Sequence, residues 1–358
     1  MGPLSGLKVI EMSAIGPVPL AGMLLADMVA DVVILDKAND PYLMPGDVLR
    51  RGKRAIEIDM KSAEGVSEAQ RLIGQADIVI EGFRPGVMER LGIGPDVFES
   101  SNPKLIYGRM TGWGQTGPLS QAAGHDINYI ALTGALNAIG RADGAPVPPL
   151  NLVGDYGGGT MFLVMGVLAA LHERKSSGKG QVVDAAITEG TANLMSIFYT
   201  LNNIGAWSTR RASNLLDSAA HFYDSYETSD GKFITLGAIE PHFYALMKDK
   251  MGLNDDDFAK QNDPRKWPEL KTKLATIVAD KTQQQWCELL EGSDVCFAPV
   301  LDYLEAPSHH HMQARDAYID VDGKPQPAPA PKFSRTKSQV VTKDQATSSS
   351  ILSEWSVG

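Results

Sequence analysis

Leu7-Lys-Val-Ile-Glu-Met12, Ala21-Gly-Met-Leu-Leu-Ala-Asp-Met28 and Asp31-Val-Val-Ile-Leu35 decide the fold: a short apolar run, a helix-length apolar segment, and a second short apolar run rich in valine. Continuous apolar runs of this length read as strands buried on both faces, and strand, helix, strand is the opening of a parallel sheet. The alternation continues. Ala55 to Met60 reads as strand, Ser62 to Ala76 as helix, Asp77 to Ile80 as strand, Val87 to Leu91 as a short helix and Lys104 to Met110 as strand. Tyr156 to Arg174 is apolar enough for a buried helix, stopped by the polar, glycine-containing stretch 175–180 and followed by a strand over Gln181 to Ile187. Residues 1–190 are therefore expected to form one α/β domain, a Rossmann-like doubly wound parallel sheet covered by helices.

The pattern changes further on. Phe222 to Thr228 and Phe233 to Gly237 flank Ser229-Asp-Gly-Lys232, the composition of a hairpin turn. With amphipathic segments at Pro241 to Met251, Trp267 to Ala279 and Thr282 to Glu291, residues 220–305 read as a smaller α+β domain, reached through a linker over 191–219 and left through one over 306–324. The proline-rich stretch Asp322 to Lys332 reads as an extended arm rather than a folded unit.

Composition excludes several classes of function. The 358 residues carry 33 Lys plus Arg against 43 Asp plus Glu, a net charge of −10, which argues against a nucleic-acid partner. The longest apolar candidate, Met161 to Leu171, falls short of the roughly 20 residues of a membrane span. The start of the chain lacks the features of a secretory signal. The C-terminus lacks a Ser-Lys-Leu type address, so a cytoplasmic location is expected. Cys287 and Cys296 read as buried small side chains in a reducing compartment.

No dinucleotide fingerprint is present. Ser13 to Gly22 has glycines at 16 and 22 but prolines at 17 and 19, and the GxxxxGK[ST] phosphate loop is also absent. Chemistry concentrates instead in Gly124-His-Asp-Ile-Asn-Tyr129, Leu152-Val-Gly-Asp-Tyr-Gly-Gly-Gly159 and Gly237-Ala-Ile-Glu-Pro241. By position alone, Asp155 reads first as a helix N-cap and His125 as a satisfied loop or core histidine, and Glu240-Pro241 can simply start a helix. Together, a histidine and two carboxylates would make an acid/base set, although spacing does not show that they meet. His309-His-His311 reads as a helix start rather than a metal site. Met161 and Met165 read as core filler. The cationic run Arg50, Arg51, Lys53, Arg54 reads as solvated surface.

The chain resembles the family III CoA-transferase superfamily and, within it, the α-methylacyl-CoA racemases, from Leu4 almost to the C-terminus. The matching motifs are Met110-Thr-Gly-Trp-Gly-Gln-Thr-Gly-Pro118, Gly124 to Tyr129, Gly154-Asp155 with Gly166 to Arg174, Ser177-Gly-Lys-Gly-Gln-Val-Val-Asp184 and Gly237-Ala-Ile-Glu240. The resemblance implies that His125 and Asp155 are the two catalytic acid/bases, that Glu240 orients His125, and that the backbone N–H of Asp126 receives the thioester oxygen. It also implies a CoA shell of Lys37, Lys61, Gly82, Phe83, Arg84, Arg90, Tyr129 and Asn151. The family pattern often has arginine where this chain has Lys37, which keeps the cation and loses planar stacking on adenine.

The implied substrates are 2-methyl-branched acyl-CoA thioesters, with CoA as part of the substrate, no separate cofactor and no metal. Also implied are an intertwined homodimer, in which Glu240 could come from the partner chain, and a C-terminal tail (325–358) that rejoins the large domain. Two bases suit the reaction, because inversion removes a proton from one face of Cα and returns one to the other. An α-proton of pKa about 20 facing an imidazole of about 6.5 leaves roughly 18 kcal/mol uphill, so the enolate must be stabilised. The alternatives are a CoA transferase with Asp155 as nucleophile, and an inactive CoA-binding scaffold.

Overall fold

A computed structural model describes residues 1–37, 44–254, 256–343 and 346–356. The chain divides into two units: Met1–Ala135 with Pro148–Ser196 and Gln326–Gly358, and Leu136–Val147 with Ile197–Pro325. Thus Leu136–Val147, expected within the first domain, clusters with the second, and the second extends well beyond 220–305 at both ends. Ser196–Asn203, expected as linker, is helical.

The first unit is built on six parallel strands, β1 (Lys8–Met12), β2 (Asp31–Asp36), β3 (Arg54–Glu57), β4 (Ile78–Glu81), β5 (Ile106–Thr111) and β6 (Val182–Ala186), in the order β3-β2-β1-β4-β5-β6. Alternate residues of each strand feed opposite cores. Val9, Val32, Ile78, Ile80 and Ile106 pack on one face beneath α1 (Pro17–Asp27). Ile10, Met12, Val33, Leu35, Val79 and Tyr107 pack on the other beneath α2 (Ala63–Ile73). This period of two is why the strands read as unbroken apolar runs. The last helix, α11 (Ser348–Ser356), seals the second face with Ile351 and Trp355, and Trp355 Nε1 donates to Asp31 at 2.7 Å.

Between them in sequence lie α3 (Val87–Arg90), α4 (Asp126–Leu132), the long helix α5 (Leu152–Ser177) and α6 (Ile187–Leu194). The first nine residues of α5, Leu152–Thr160, are π-helical, with the Tyr156 N–H reaching back to Asn151 O. Sequence reading begins this helix at Tyr156, just after Asp155, whereas the helix starts four residues earlier. The three consecutive glycines 157–159 lie inside it as sites of close packing: a Cβ on Gly158 would lie 2.3 Å from Thr191 Oγ1. At 26 residues α5 is long and apolar enough to cross a membrane, with a third of its most apolar window buried. Leu163 and Val167 close over Gly108 of β5, so it is placed here as a core helix of the sheet. Met161 and Met165 are not core filler: they are 45% and 59% exposed.

The cationic run also departs from expectation. Arg51 pairs with Asp27 at 2.6 Å, Lys53 with Glu11 at 2.6 Å, Arg50 with Asp36, and Arg54 with Asp31 and Glu354. The Arg51 and Lys53 pairs are buried and those of Arg50 and Arg54 partly exposed, so the run is tied to its neighbours by ion pairs rather than forming a solvated face.

The second unit holds an antiparallel sheet of β7 (Tyr223–Glu227), β8 (Phe233–Gly237) and β9 (Phe297–Val300), with α7 (Pro241–Met251), α8 (Trp267–Val278) and α9 (Gln283–Leu290). Phe222, Tyr226, Leu236, Trp267, Leu270 and Trp286 form its core. The expected arm is partly ordered, since Lys324–Pro327 pairs with Tyr318–Val321 as a hairpin. Neither cysteine is fully buried: both are free, Cys287 half-buried and Cys296 exposed.

His221 is fully buried in this core. Its Nε2 lies 2.7 Å from Tyr244 Oη, which donates to Phe258 O, so Nε2 carries the proton. Its Nδ1 has no partner among the described residues. Burial pushes this imidazole down to about 4. The neutral form is the one the fold accommodates, so its stabilisation is fully present above the ordinary histidine pKa and is lost as pH falls from about 6.5 towards 4. That loss amounts to about 3 kcal/mol. Urea unfolding at pH 7 and pH 4.5 should show this loss in the wild type and a smaller one in His221→Gln; equal losses would refute it.

Candidate active site

The cleft forms where the strand order reverses. Beyond the C-terminal ends of β1, β4 and β5, the segments following Met12, Glu81 and Thr111 diverge around a space of about 680 Å³. In open parallel sheets this switch point is where ligands bind, and the volume suits a small-molecule site. Ile15 and Gly16 line one side, Gly82, Phe83 and Arg84 another, and Gly112, Trp113, His125, Tyr129 and Asp155 the rest. Gly82, Phe83, Arg84, Tyr129, His125 and Asp155 had been singled out from sequence, and the structure brings these six to one place.

His125 is the N-cap residue of α4, in extended backbone conformation, and its N–H is held by Asn128 Oδ1 at 3.0 Å. Asp126 is the first residue of α4, so its N–H is among those the helix leaves without an internal acceptor. Tyr129, one turn on, donates its hydroxyl to Gly124 O and stands edge-on to Trp113, with ring centroids 4.8 Å apart.

Asp155 is not an N-cap; it lies inside the π-helical turn of α5, a distortion that recurs at functional sites. Its carboxylate sits against Gly16, where a Cβ would come within 3.2 Å of Oδ2. Gly16 has φ of 74° and caps α1, so glycine there serves both the turn and the approach of the carboxylate. Burial raises the Asp155 carboxyl above the usual carboxylate range, and the neighbouring Asp126 charge raises it further; the Asn151 side chain and His125 oppose this.

Glu81 is a participant that sequence reading missed. It is fully buried at the end of β4; Oε2 accepts the Phe83 N–H at 2.7 Å and Oε1 accepts from Arg109 Nε at 3.0 Å. Arg109 pairs in turn with Glu89 at 2.7 Å. Burial pushes the Glu81 carboxyl up to about 7, against the Phe83 N–H and Arg109. Its place beside Gly82-Phe-Arg84 fixes that loop. The signal available in sequence was a lone acid closing an apolar strand.

The remaining expected residues lie off the cleft lining. Asn151 instead hydrogen-bonds Asp155. Lys37 and Lys61 are exposed, after β2 and before α2, and Arg90 is exposed at the end of α3. Glu240 belongs to the second unit, where it is the exposed N-cap residue of α7 followed by Pro241.

Glu291, His309 and His310 bring three donor atoms within 4.8 Å, the kind of group that could hold a metal ion. His309, however, caps the helix α10 (His310–Ala314), its Nδ1 accepting the His311 N–H at 3.3 Å. That leaves the proton on Nε2, facing Glu291 at 2.8 Å, an ion-pair or hydrogen-bond arrangement rather than a ligand lone pair.

The sequence pattern of CoA-transferase family III matches residues 4–345, and the chain belongs to that family. The α-methylacyl-CoA racemase of Mus musculus is 44% identical over 334 residues, spanning 93% of this chain and 87% of the relative. The Homo sapiens α-methylacyl-CoA racemase is 42% identical over 331 residues, spanning 91% and 86%. A CAIB/BAIF family protein from Brucella suis has the same fold, with a TM-score of 0.82 over 99% of both chains at 23% identity.

Proposed function

We propose that this chain is an enzyme that interconverts (2R)- and (2S)-2-methylacyl-CoA thioesters by 1,1-proton transfer between two bases. The observation that carries the reading is the meeting of His125 and Asp155 in one cleft at the switch point. The racemase relatives support it. In one direction the Asp155 carboxylate takes the α-proton, the electron pair delocalises onto the thioester oxygen, and protonated His125 delivers a proton to the opposite face. The reverse direction starts from the protonation states so produced, and no separate cofactor takes part. A raised Asp155 carboxyl brings this base towards the range in which imidazoles titrate, which lowers the cost of exchanging the two protonation states.

The N–H of Asp126 is proposed to receive the enolate oxygen. Gly82, Phe83, Arg84 and Tyr129 would hold the CoA arm in the cleft, with Lys37, Lys61 and Arg90 as cations for its phosphates and Asn151 steadying Asp155. Glu240 is proposed to orient His125, from the same or the partner chain. The homodimer is supported by the exposed apolar side chains of Leu152, Met161, Met165 and Leu194. The cytoplasm is the proposed compartment, in keeping with two free cysteines.

The test is a 2-methylacyl-CoA incubated with the enzyme in D2O and followed by NMR. Deuterium entry at Cα with convergence of both epimers is expected. Absence of exchange, with CoA transfer once a free carboxylic acid is added, would make Asp155 a nucleophile and end the racemase reading.

A further inference from the structure

Asp126 follows one proposed base directly and touches the other. Its side chain is buried, 7% exposed. Oδ2 accepts the backbone N–H of Asp155 at 2.7 Å across 29 residues of sequence. Gly154 makes this possible, because a Cβ there would fall 2.3 Å from that same Oδ2. The other oxygen, Oδ1, is buried and has no hydrogen-bond partner among the described residues. A buried carboxylate with an unpartnered oxygen is a costly way to accept one N–H, and an amide or hydroxyl would do so at less cost. A carboxylate here has a use that a neutral acceptor lacks: its charge acts on Asp155.

We infer that the Asp126 side chain is a positioning residue for Asp155, tying the π-helical turn that carries one base to the residue next to the other, so that a single carboxylate sets both sides of the reacting carbon. The inference rests on the racemase reading and adds to it a side-chain role separate from that of the Asp126 N–H. In a π-helical turn the backbone is not held by the regular i to i−4 ladder. An external acceptor for the Asp155 N–H therefore fixes where its carboxylate stands. The titratable groups near Asp155 are Asp126 and His125 from the opening of α4, and Tyr129 one turn on, whose hydroxyl the Asp155 charge raises after burial. From α1 the nearest group is Gly16, and Glu189 on α6 is exposed. Among the described residues Asp126 is thus the carboxylate that acts on Asp155, and after burial its charge holds the Asp155 carboxyl up.

Asp126→Asn keeps an oxygen acceptor for the Asp155 N–H and removes the charge, whereas Asp126→Ala removes both; each leaves the backbone N–H of residue 126 in place. For Asp126→Asn, the Asp155 carboxyl carbon, followed by 13C NMR and assigned with Asp155→Asn, is expected to titrate lower than in the wild type by about half a pH unit or more. The acid limb of the rate profile in the direction where Asp155 is the base should move the same way, because ionised Asp155 then persists to lower pH. Asp126→Ala is expected to lower kcat at least ten-fold with KM changed less than two-fold. A carboxyl titration in Asp126→Asn that superposes on the wild type overturns the inference, whatever the alanine variant does. That readout needs no turnover, so it separates failure of this role from failure of the racemase reading, which α-deuterium exchange in the wild type decides.

Discussion

Asp155→Asn is expected to stop interconversion of the two epimers, lowering kcat by about 10²–10⁴-fold, while α-deuterium exchange from one enantiomer survives. The amide fits the place of the carboxylate against Gly16 and can still accept from Asn151, so the cleft and CoA affinity should be retained. What it cannot do is take a proton. His125 still can, from its own face, and solvent deuterium returns to that face, giving labelled substrate of unchanged configuration. His125→Ala should show the complementary pattern, with exchange confined to the other enantiomer. The two variants together separate mechanisms that activity loss alone would merge. A nucleophilic Asp155 predicts that both enantiomers lose reactivity together and that hydroxylamine traps an acyl group on wild-type Asp155. That outcome would replace proton transfer by acyl transfer at the same cleft.

The strands of the first unit were legible because burial on both faces leaves runs such as Val32 to Leu35 with no polar interruption. The site was legible in part for the same reason. His125 and Asp155 stand among glycines and apolar residues where an ionisable group has no structural necessity, although their meeting came from the fold. Other features depend on partners far away in sequence. Arg51 and Lys53 look like surface until Asp27 and Glu11, 24 and 42 residues upstream, come beside them. The π-turn at Leu152–Thr160 depends on glycines that admit Thr191 and Asp126, side chains far off in sequence. The last helix carries only Ile351 and Trp355 as buried apolar residues in a serine-rich segment, too weak a periodicity to read. Glu240 is marked by its motif, while in its own unit it is an exposed N-cap residue.

The largest expected effect on stability comes from Lys53→Met. Lys53 Nζ lies 2.6 Å from Glu11 Oε2 and donates to Pro19 O at 2.8 Å, with the lysine side chain 0% and the glutamate 2% exposed. Gly22 of α1 leaves the room they occupy, since a Cβ there would overlap Glu11 Oε2. Burial raises the Glu11 carboxyl, and the Lys53 charge and hydrogen bond are the chief forces opposing that rise. Methionine fills much of the lysine volume but leaves an unpaired buried carboxylate, which costs about 3–5 kcal/mol. The sign of the pH dependence follows. With Lys53 gone, Glu11 is expected to titrate higher still in the folded state, so folding is favoured where Glu11 is protonated and disfavoured as pH rises through its folded pKa. Urea unfolding should therefore show a deficit against wild type that is largest at pH 7 and smaller at pH 5. The double variant Glu11→Leu with Lys53→Met should recover much of the loss, because replacing a buried pair by apolar side chains removes the desolvation cost of both ions. A Lys53→Met protein as stable as wild type at pH 7 would show that water or another cation reaches Glu11, and the pair would then be no support for the end of β1 that leads into the cleft.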